Sequence, residues 1–525
     1  MLFNTPEYFL LFLPVSIIVY FFFSKRRYFA ASKLWLLLCS LFFYCYWKFD
    51  YIWILLGSIV FNFVIGSILS KEANADEDAT KLGVKDNQNS DERTLKNRVC
   101  STKRKLILIF GVLANVALLG YYKYTDFLIS DLNLLLGTSY ELVHIVLPLA
   151  ISFFTFQQIA YLVDSYKGLT KEYDFVSYAV FVSFFPQLIA GPIVHHKDLI
   201  PQFFKARNLF LNYKNLCFGL FIFTIGLIKK AIIADKFAIW VGDGFDSANN
   251  LTLLTSWLVS FCYTFQLYFD FSGYCDMAVG SALFFNIKLP INFNSPYKAL
   301  SIQDFWRRWH ITLSSFLRDY LYFPLGGSRQ GSFRTYVNLF IVFFITGIWH
   351  GAGNTFVLWG LLHGVAIIIH RVFHNFSYSL PRVPAWILTF IFVDIAWVLF
   401  RAPDLNVAYE VYSHMFDFGS LSLEQLSTFK SALKGIGLNY QTITYVVLAL
   451  IVVLTCKNSN ELLAKVATIK NERLSKFYTH KEGKLQHVLY KVGGYCACVF
   501  VALILFYVTL AVIGSSYTEF IYFNF

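Results

Sequence analysis

Apolar runs of near membrane length recur along this 525-residue chain, at about 8–23, 31–47, 51–69, 106–122, 142–163, 336–349, 354–370, 385–400, 441–456 and 492–513. Inside a bilayer each segment has to satisfy its own backbone N–H and C=O groups, so runs of this length dictate helices. The chain is therefore expected to be an all-α polytopic membrane protein whose first partner is the lipid bilayer. Composition agrees: 57% of residues are hydrophobic and 14% charged, against about 45–50% and about 25% in soluble domains. A soluble enzyme, a disordered protein and a nucleic-acid binder are excluded.

Basic loops orient the spans. Lys25, Arg26 and Arg27 follow the first run, which puts that end in the cytoplasm and the N-terminus outside. No basic stretch precedes this run and it reaches Phe23, so it is read as a span rather than a cleaved leader. Stretch 71–105 carries nine Lys/Arg and seven Asp/Glu and is expected to be a cytoplasmic, partly disordered loop. Residues 123–141 carry one Lys and three acids and fall outside; 293–334, with six Lys/Arg against two Asp, and 457–491 fall inside. The tail 514–525 then lies outside. The topology of 166–292 stays open: parity requires an even number of crossings, with one re-entrant run near the basic loop after residue 194. FFKARNLFLNYK, 203–214, mixes aromatics and cations as an interfacial helix would. The net charge of +12 is assigned to cytoplasmic loops facing an anionic leaflet. Nine cysteines without a C-x-x-C suggest neither a disulfide framework nor a zinc site, and no metal or bound cofactor is expected. The whole of 1–525 reads as one membrane domain.

Two segments concentrate polar chemistry. In SIQDFWRRWHITLSSFLRDYLYFPLGGSRQGSFR, from Ser301, a Ser with an Asp three residues on predicts a helix N-cap. Trp306 and His310, four apart, are expected on one helix face. Arg307, Arg308 and Arg318 can anchor an interfacial helix or hold donor phosphates above His310. In TGIWHGAGNTFVLWGLLHG, from Thr346, Trp349 and His350 end one apolar run. Gly351 and Gly353 are expected to permit a sharp turn or close substrate approach. An ionisable group at membrane depth is a functional candidate, although a lone membrane His also serves as a helix-to-helix hydrogen bonder. His363 reads as structural. A neutral His in an apolar setting can take a proton from an attacking hydroxyl. Asp164, Asp270, Asp276 and Asp394 lie near membrane depth and need partners, with Asp270 ranked first as a site neighbour. In the tail YTEFIYFNF, Tyr522 can place a phenol at an outer mouth, or serve as a plain anchor.

These residues resemble the membrane-bound O-acyltransferase superfamily, in the bacterial branch that O-acetylates alginate and peptidoglycan. The matching stretches are MLFNTPEYFLLFLP, FFPQLIAGPIVHH, YFDFSGYCDMAVG, FWRRWHITLSSFLRDYLYFPLGGSR, GIWHGAGNTFVLWGLLHG, LFRAPD and the terminal FIYFNF, from one end of the chain to the other. The resemblance implies a ring of tilted helices around a tunnel, with re-entrant and interfacial helices. It implies His350 as the catalytic base, His310 as the second motif residue and Tyr522 as an acyl relay. It further implies acetyl-CoA as cytoplasmic donor and a periplasmic SGNH-type partner that modifies the glycan, at a bacterial inner membrane. The 71–105 insert is longer than the branch's pattern. An AT-rich residue usage favours peptidoglycan over alginate as the glycan. The rivals are a polysaccharide flippase, which would need many polar residues in its spans, and a non-catalytic envelope scaffold, which would tolerate loss of His350.

Overall fold

The computed structural model describes residues 1–83, 90–170, 173–189, 191–376, 380–420, 423–465, 504–505 and 507–512. Among the described residues the secondary structure is helical, and seven helical stretches are long and apolar enough to cross a membrane. They are Glu7–Lys25, Phe49–Glu72, Thr102–Leu136, Tyr213–Asp246, Gly331–His350, Asn354–Asn375 and Arg382–Arg401. A bent pair, Thr428–Gly435 and Tyr440–Thr455, meets at 87° and forms an eighth if counted as one span. The described residues group into two compact units, those of 7–212 with Met1 and 284–290, and those of 2–6 with 213–283 and from 291 on.

The first unit contains α1 (Leu13–Lys25), α2 (Phe29–Cys45), α3 (Ile52–Gly83), α4 (Ser90–Leu136), α5 (Ile151–Tyr166), α6 (Phe175–Ser183), α7 (Phe185–Leu188) and α8 (His196–Phe204). Helices α3 and α4 carry helical backbone into the charged stretch 71–105, up to Gly83 and from Ser90. The expected span at 142–163 begins only at Ile151, because Ala150 sits in the left-handed region at φ 62° and Pro148 has no N–H to offer. The expected interfacial helix at 203–214 is broken too. α8 stops at Phe204, Lys205 is extended, and α9 starts at Tyr213. Polar side chains tie α3, α4 and α5 together. Asn62 and Asn115 exchange amide hydrogen bonds of 3.1 and 2.7 Å, and Asn62 also donates to Gln158. Asp164, on α5, accepts a place beside His196 Nε2 at 2.9 Å, and the Tyr173 hydroxyl lies 3.1 Å from Nδ1 of the same ring.

The second unit contains α9 (Tyr213–Ile228), α10 (Asp235–Asp246), α11 (Leu253–Phe284), α12 (Ile302–Arg308), α13 (Ile311–Leu317), α14 (Gly331–His350), α15 (Asn354–Asn375), α16 (Arg382–Arg401), α17 (Leu405–Met415), α18 (Leu423–Gly435) and α19 (Tyr440–Thr455). A π-helical stretch, Lys229–Ala234, joins α9 to α10. α11 is largely buried in this unit and mixes Ser, Thr and Asp into an apolar helix. Lys229 pairs with Asp276 at 2.7 Å, and Lys230 bridges Asp270 and Asp235 at 2.8 Å each. Asp394 accepts from Thr264 Oγ1 at 2.6 Å and Ser260 Oγ at 2.9 Å. The buried carboxylates therefore have Lys, His or hydroxyl partners.

Helices α14 and α15 meet backbone to backbone. A Cβ on Gly347 would sit 2.4 Å from Phe356 O, and one on Gly360 would sit 2.6 Å from Phe343 O. This small-residue contact sets how closely the end of α14 lies against α15.

Candidate active site

The site is built from the break between α12 and α13 and from the end of α14. The Ser301 hydroxyl accepts from the Asp304 N–H at 3.1 Å, as the cap pattern predicts, and Asp304 accepts back from the Leu300 N–H at 3.3 Å. α12 then runs only to Arg308. Trp309 is extended, and His310 adopts the left-handed conformation at φ 45°, ψ 52°. Trp306 and His310 therefore do not share a helix face. The cause is a backbone clamp from outside the helix: Asn294 N–H donates to Arg308 O at 2.9 Å and Ile311 N–H to Asn292 O at 3.0 Å. A left-handed residue other than glycine costs about 1–3 kcal/mol and persists where its surroundings over-determine it.

The break turns the His310 ring into the unit's interior. Its centroid lies 4.9 Å from Phe271, 6.2 Å from Trp349 and 6.4 Å from His350. His350, the last residue of α14, is boxed by Trp349 at 4.9 Å and by Trp359 and Phe400 at 5.1 Å each. Two imidazoles far apart in sequence thus face each other in an aromatic enclosure, at 0% and 2% exposure. Burial pushes the His310 imidazole down to about 3, so it is neutral at physiological pH. His363, on α15, accepts from Trp306 Nε1–H at 3.3 Å and is ringed by Trp359 and Phe392.

The two glycines after His350 do not make the turn. Gly351 and Gly353 have φ −158° and −171°, extended values open to any residue. Gly351 instead makes room for the Phe356 ring, which a Cβ would approach to 2.2 Å.

A cavity of about 440 Å³ opens on the other side of Trp306. Trp306, Arg307, Arg318, Thr346, His370 and Arg371 line it. Trp306 and Phe343 form its wall toward His363, with ring centroids 5.1 and 6.3 Å from that imidazole. Ile311 and Thr346 reach the cavity from the two strands of chain that carry His310 and His350. Arg308 points elsewhere, held by Asp304 at 2.8 Å and near Asn294 O. Arg318 binds Asp319 through two contacts of 2.7 and 3.1 Å. Asp270 is not at the cavity, since Lys230 holds it in the interior. The tail 514–525 with Tyr522 lies outside the described residues. Asn292, His370 and Arg371 were not among the sequence candidates. For Asn292 the available signal was an amide placed between apolar residues, in PINFN.

The chain matches the model of the membrane-bound O-acyltransferase family over residues 165–409. It is 48% identical over 457 residues to the peptidoglycan O-acetyltransferase of Helicobacter pylori, covering 81% of this chain and 82% of that protein. It is 38% identical over 457 residues to the probable alginate O-acetylase of Pseudomonas aeruginosa, covering 86% and 81%. A more distant similarity, 28% over 269 residues, links 48% of the chain to 68% of the teichoic acid D-alanyltransferase of Bacillus subtilis.

Proposed function

The chain belongs to the membrane-bound O-acyltransferase family and is a multi-pass membrane acyltransferase; we propose that it moves acetyl groups across a bacterial inner membrane to O-acetylate an extracytoplasmic glycan. Acetyl-CoA is the cytoplasmic donor and a periplasmic SGNH-type protein the partner that places the acetyl group. Both termini face out. Peptidoglycan is the first glycan, because the relative named for it is 48% identical, and alginate the second, because its relative is 38% identical.

The observation that carries this reading is the pair of buried imidazoles, His310 and His350, with ring centroids 6.4 Å apart. Acyl transfer from a thioester needs a base, a positioned hydroxyl and a dry enclosure. The acceptor oxygen attacks the acetyl carbonyl while His350 takes its proton. The thiolate of CoA leaves and collects that proton from the imidazolium. The cavity beside Trp306 suits a polyanionic donor, since Arg307, Arg318 and Arg371 line it.

Tyr522 is the proposed acceptor. Its phenol would carry the acetyl group as an aryl ester, reactive enough to pass it to a serine of the partner. Tyr522→Phe keeps the ring and removes the hydroxyl. Base-labile acetate released from purified envelope, with protein level checked in parallel, should fall to background. Near-normal acetate would reduce the tail to an anchor and send the group directly from donor to partner.

A further inference from the structure

We infer that Asn292 is a positioning residue that holds His310 in its Nδ1–H tautomer, so that Nε2 serves as a proton acceptor and His310 is not the donor to an oxyanion. This rests on the reading of His310 as a site residue and decides between its two possible roles.

Asn292 is buried, at 2% exposure. Its Oδ1 lies 3.2 Å from the Thr312 backbone N, 2.9 Å from Thr312 Oγ1 and 3.2 Å from His310 Nδ1. A backbone N–H only donates, so the atom facing Thr312 has to be the amide oxygen. The opposite flip would set an NH2 group against that N–H. The placement also gives Nδ2 an acceptor, Cys275 Sγ at 3.5 Å. An amide oxygen only accepts, so the hydrogen between it and His310 belongs to Nδ1. A neutral imidazole carries one N–H, which leaves the lone pair on Nε2.

The backbone enforces the same geometry. The Ile311 N–H to Asn292 O bond, 3.0 Å, and the Asn294 N–H to Arg308 O bond, 2.9 Å, bracket His310 on both sides. Asn292 therefore shares with Asn294 in setting the left-handed backbone of His310, through its carbonyl, and sets the ring's tautomer through its side chain. A neutral His offering Nε2–H could stabilise a tetrahedral oxyanion. A His offering the Nε2 lone pair can only take a proton, from the acceptor hydroxyl or from His350, and return it to the leaving thiolate.

The test uses the full chain in nanodiscs with ring-15N-labelled histidine, the His310 signals being assigned by difference from His310→Gln. The wild type should show a protonated Nδ1 and an unprotonated Nε2. Asn292→Leu should lose this preference and lower kcat for thiol release from acetyl-CoA by about 10²-fold, with KM for acetyl-CoA unchanged. Asn292→Asp keeps an accepting oxygen and should restore both the tautomer and most of kcat. A wild-type Nε2–H signal overturns the inference, and so does wild-type kcat in Asn292→Leu. If Asn292→Leu does not fold, the wild-type spectrum and Asn292→Asp still decide. Wild-type turnover in His310→Gln would overturn the proton-acceptor role through the underlying site reading, and the unchanged Asn292-dependent spectrum would identify that as the cause.

Discussion

His196 and His310 are both fully buried histidines, and their surroundings differ in kind. His196 has a carboxylate at one ring nitrogen and a phenol at the other: Asp164 at 2.9 Å and Tyr173 at 3.1 Å. His310 has the neutral Asn292 amide oxygen at Nδ1, and its ring packs among Phe271, Trp349 and His350. At His196 the carboxylate ties α8 to α5, and the phenol ties it to the segment before α6. His310 instead shares its aromatic enclosure with a second imidazole, His350. Burial alone does not separate structural from chemical histidines in a membrane; here the difference is the second imidazole beside His310.

The strongest way to break this contrast is to remove each kind of histidine and ask what is lost. His350→Ala should lower acetyl transfer by about 10²–10⁴-fold, measured as base-labile envelope acetate, at unchanged protein level. Acetate at wild-type level would remove the site from the catalytic side of the comparison. His196→Leu should do the reverse. It takes the Nε2 partner from Asp164 in a buried pair, a loss of about 3–5 kcal/mol. The readout is a lower thermal midpoint and membrane level, with kcat per folded molecule preserved. A normal midpoint with reduced kcat would move His196 to the chemical class.

The smallest effect sharpens the donor side. Arg307→Glu, on the cavity wall, should raise KM for acetyl-CoA by about tenfold with kcat nearly unchanged, as expected for a contact made equally in ground and transition states. Added salt should narrow the difference. Arg308→Glu should change KM less, because Arg308 already pairs with Asp304 at 2.8 Å. Equal effects would mean that the cavity does not select the arginine that matters.

Local signals were legible in the sequence and distant ones were not. The Ser301 cap and the helices ending at His350 and starting at Asn354 follow from short-range pattern, and the structure has them. The two histidines were recognisable by residue type and setting. The left-handed break at His310 was not, because the clamp that imposes it comes from residues 292–294. The separation of Arg307 from Arg308 likewise depends on Asp304 and Asn294. Gly351 and Gly353 suggest a turn or a close approach, but no turn forms there, and the backbone contact between helices belongs to Gly347 and Gly360, since which glycine meets a neighbouring backbone is a property of the helix crossing. The burial of α11 was hidden by its own polar residues, which lower its hydropathy because they serve the interior.

Those polar residues bear on how the protein is made. Lys229 and Lys230 lie in a span, and their main partners, Asp276 and Asp270, belong to a helix translated later; the Lys229–Asp276 pair is 47 residues apart. At about 5–20 residues per second, Lys229 waits about 2–10 s for its carboxylate. An unpaired lysine at the centre of an inserting helix costs about 2.5–3.5 kcal/mol. Asp235 is at hand within the same span and holds Lys230 at 2.8 Å, whereas Lys229 has its ion pair only with Asp276 among the described residues. Insertion of α9 together with α11 would spare Lys229 that cost. Glycines let the two backbones meet closely along the seam between them, Gly226 against Gly273 and Gly219 against Gly280.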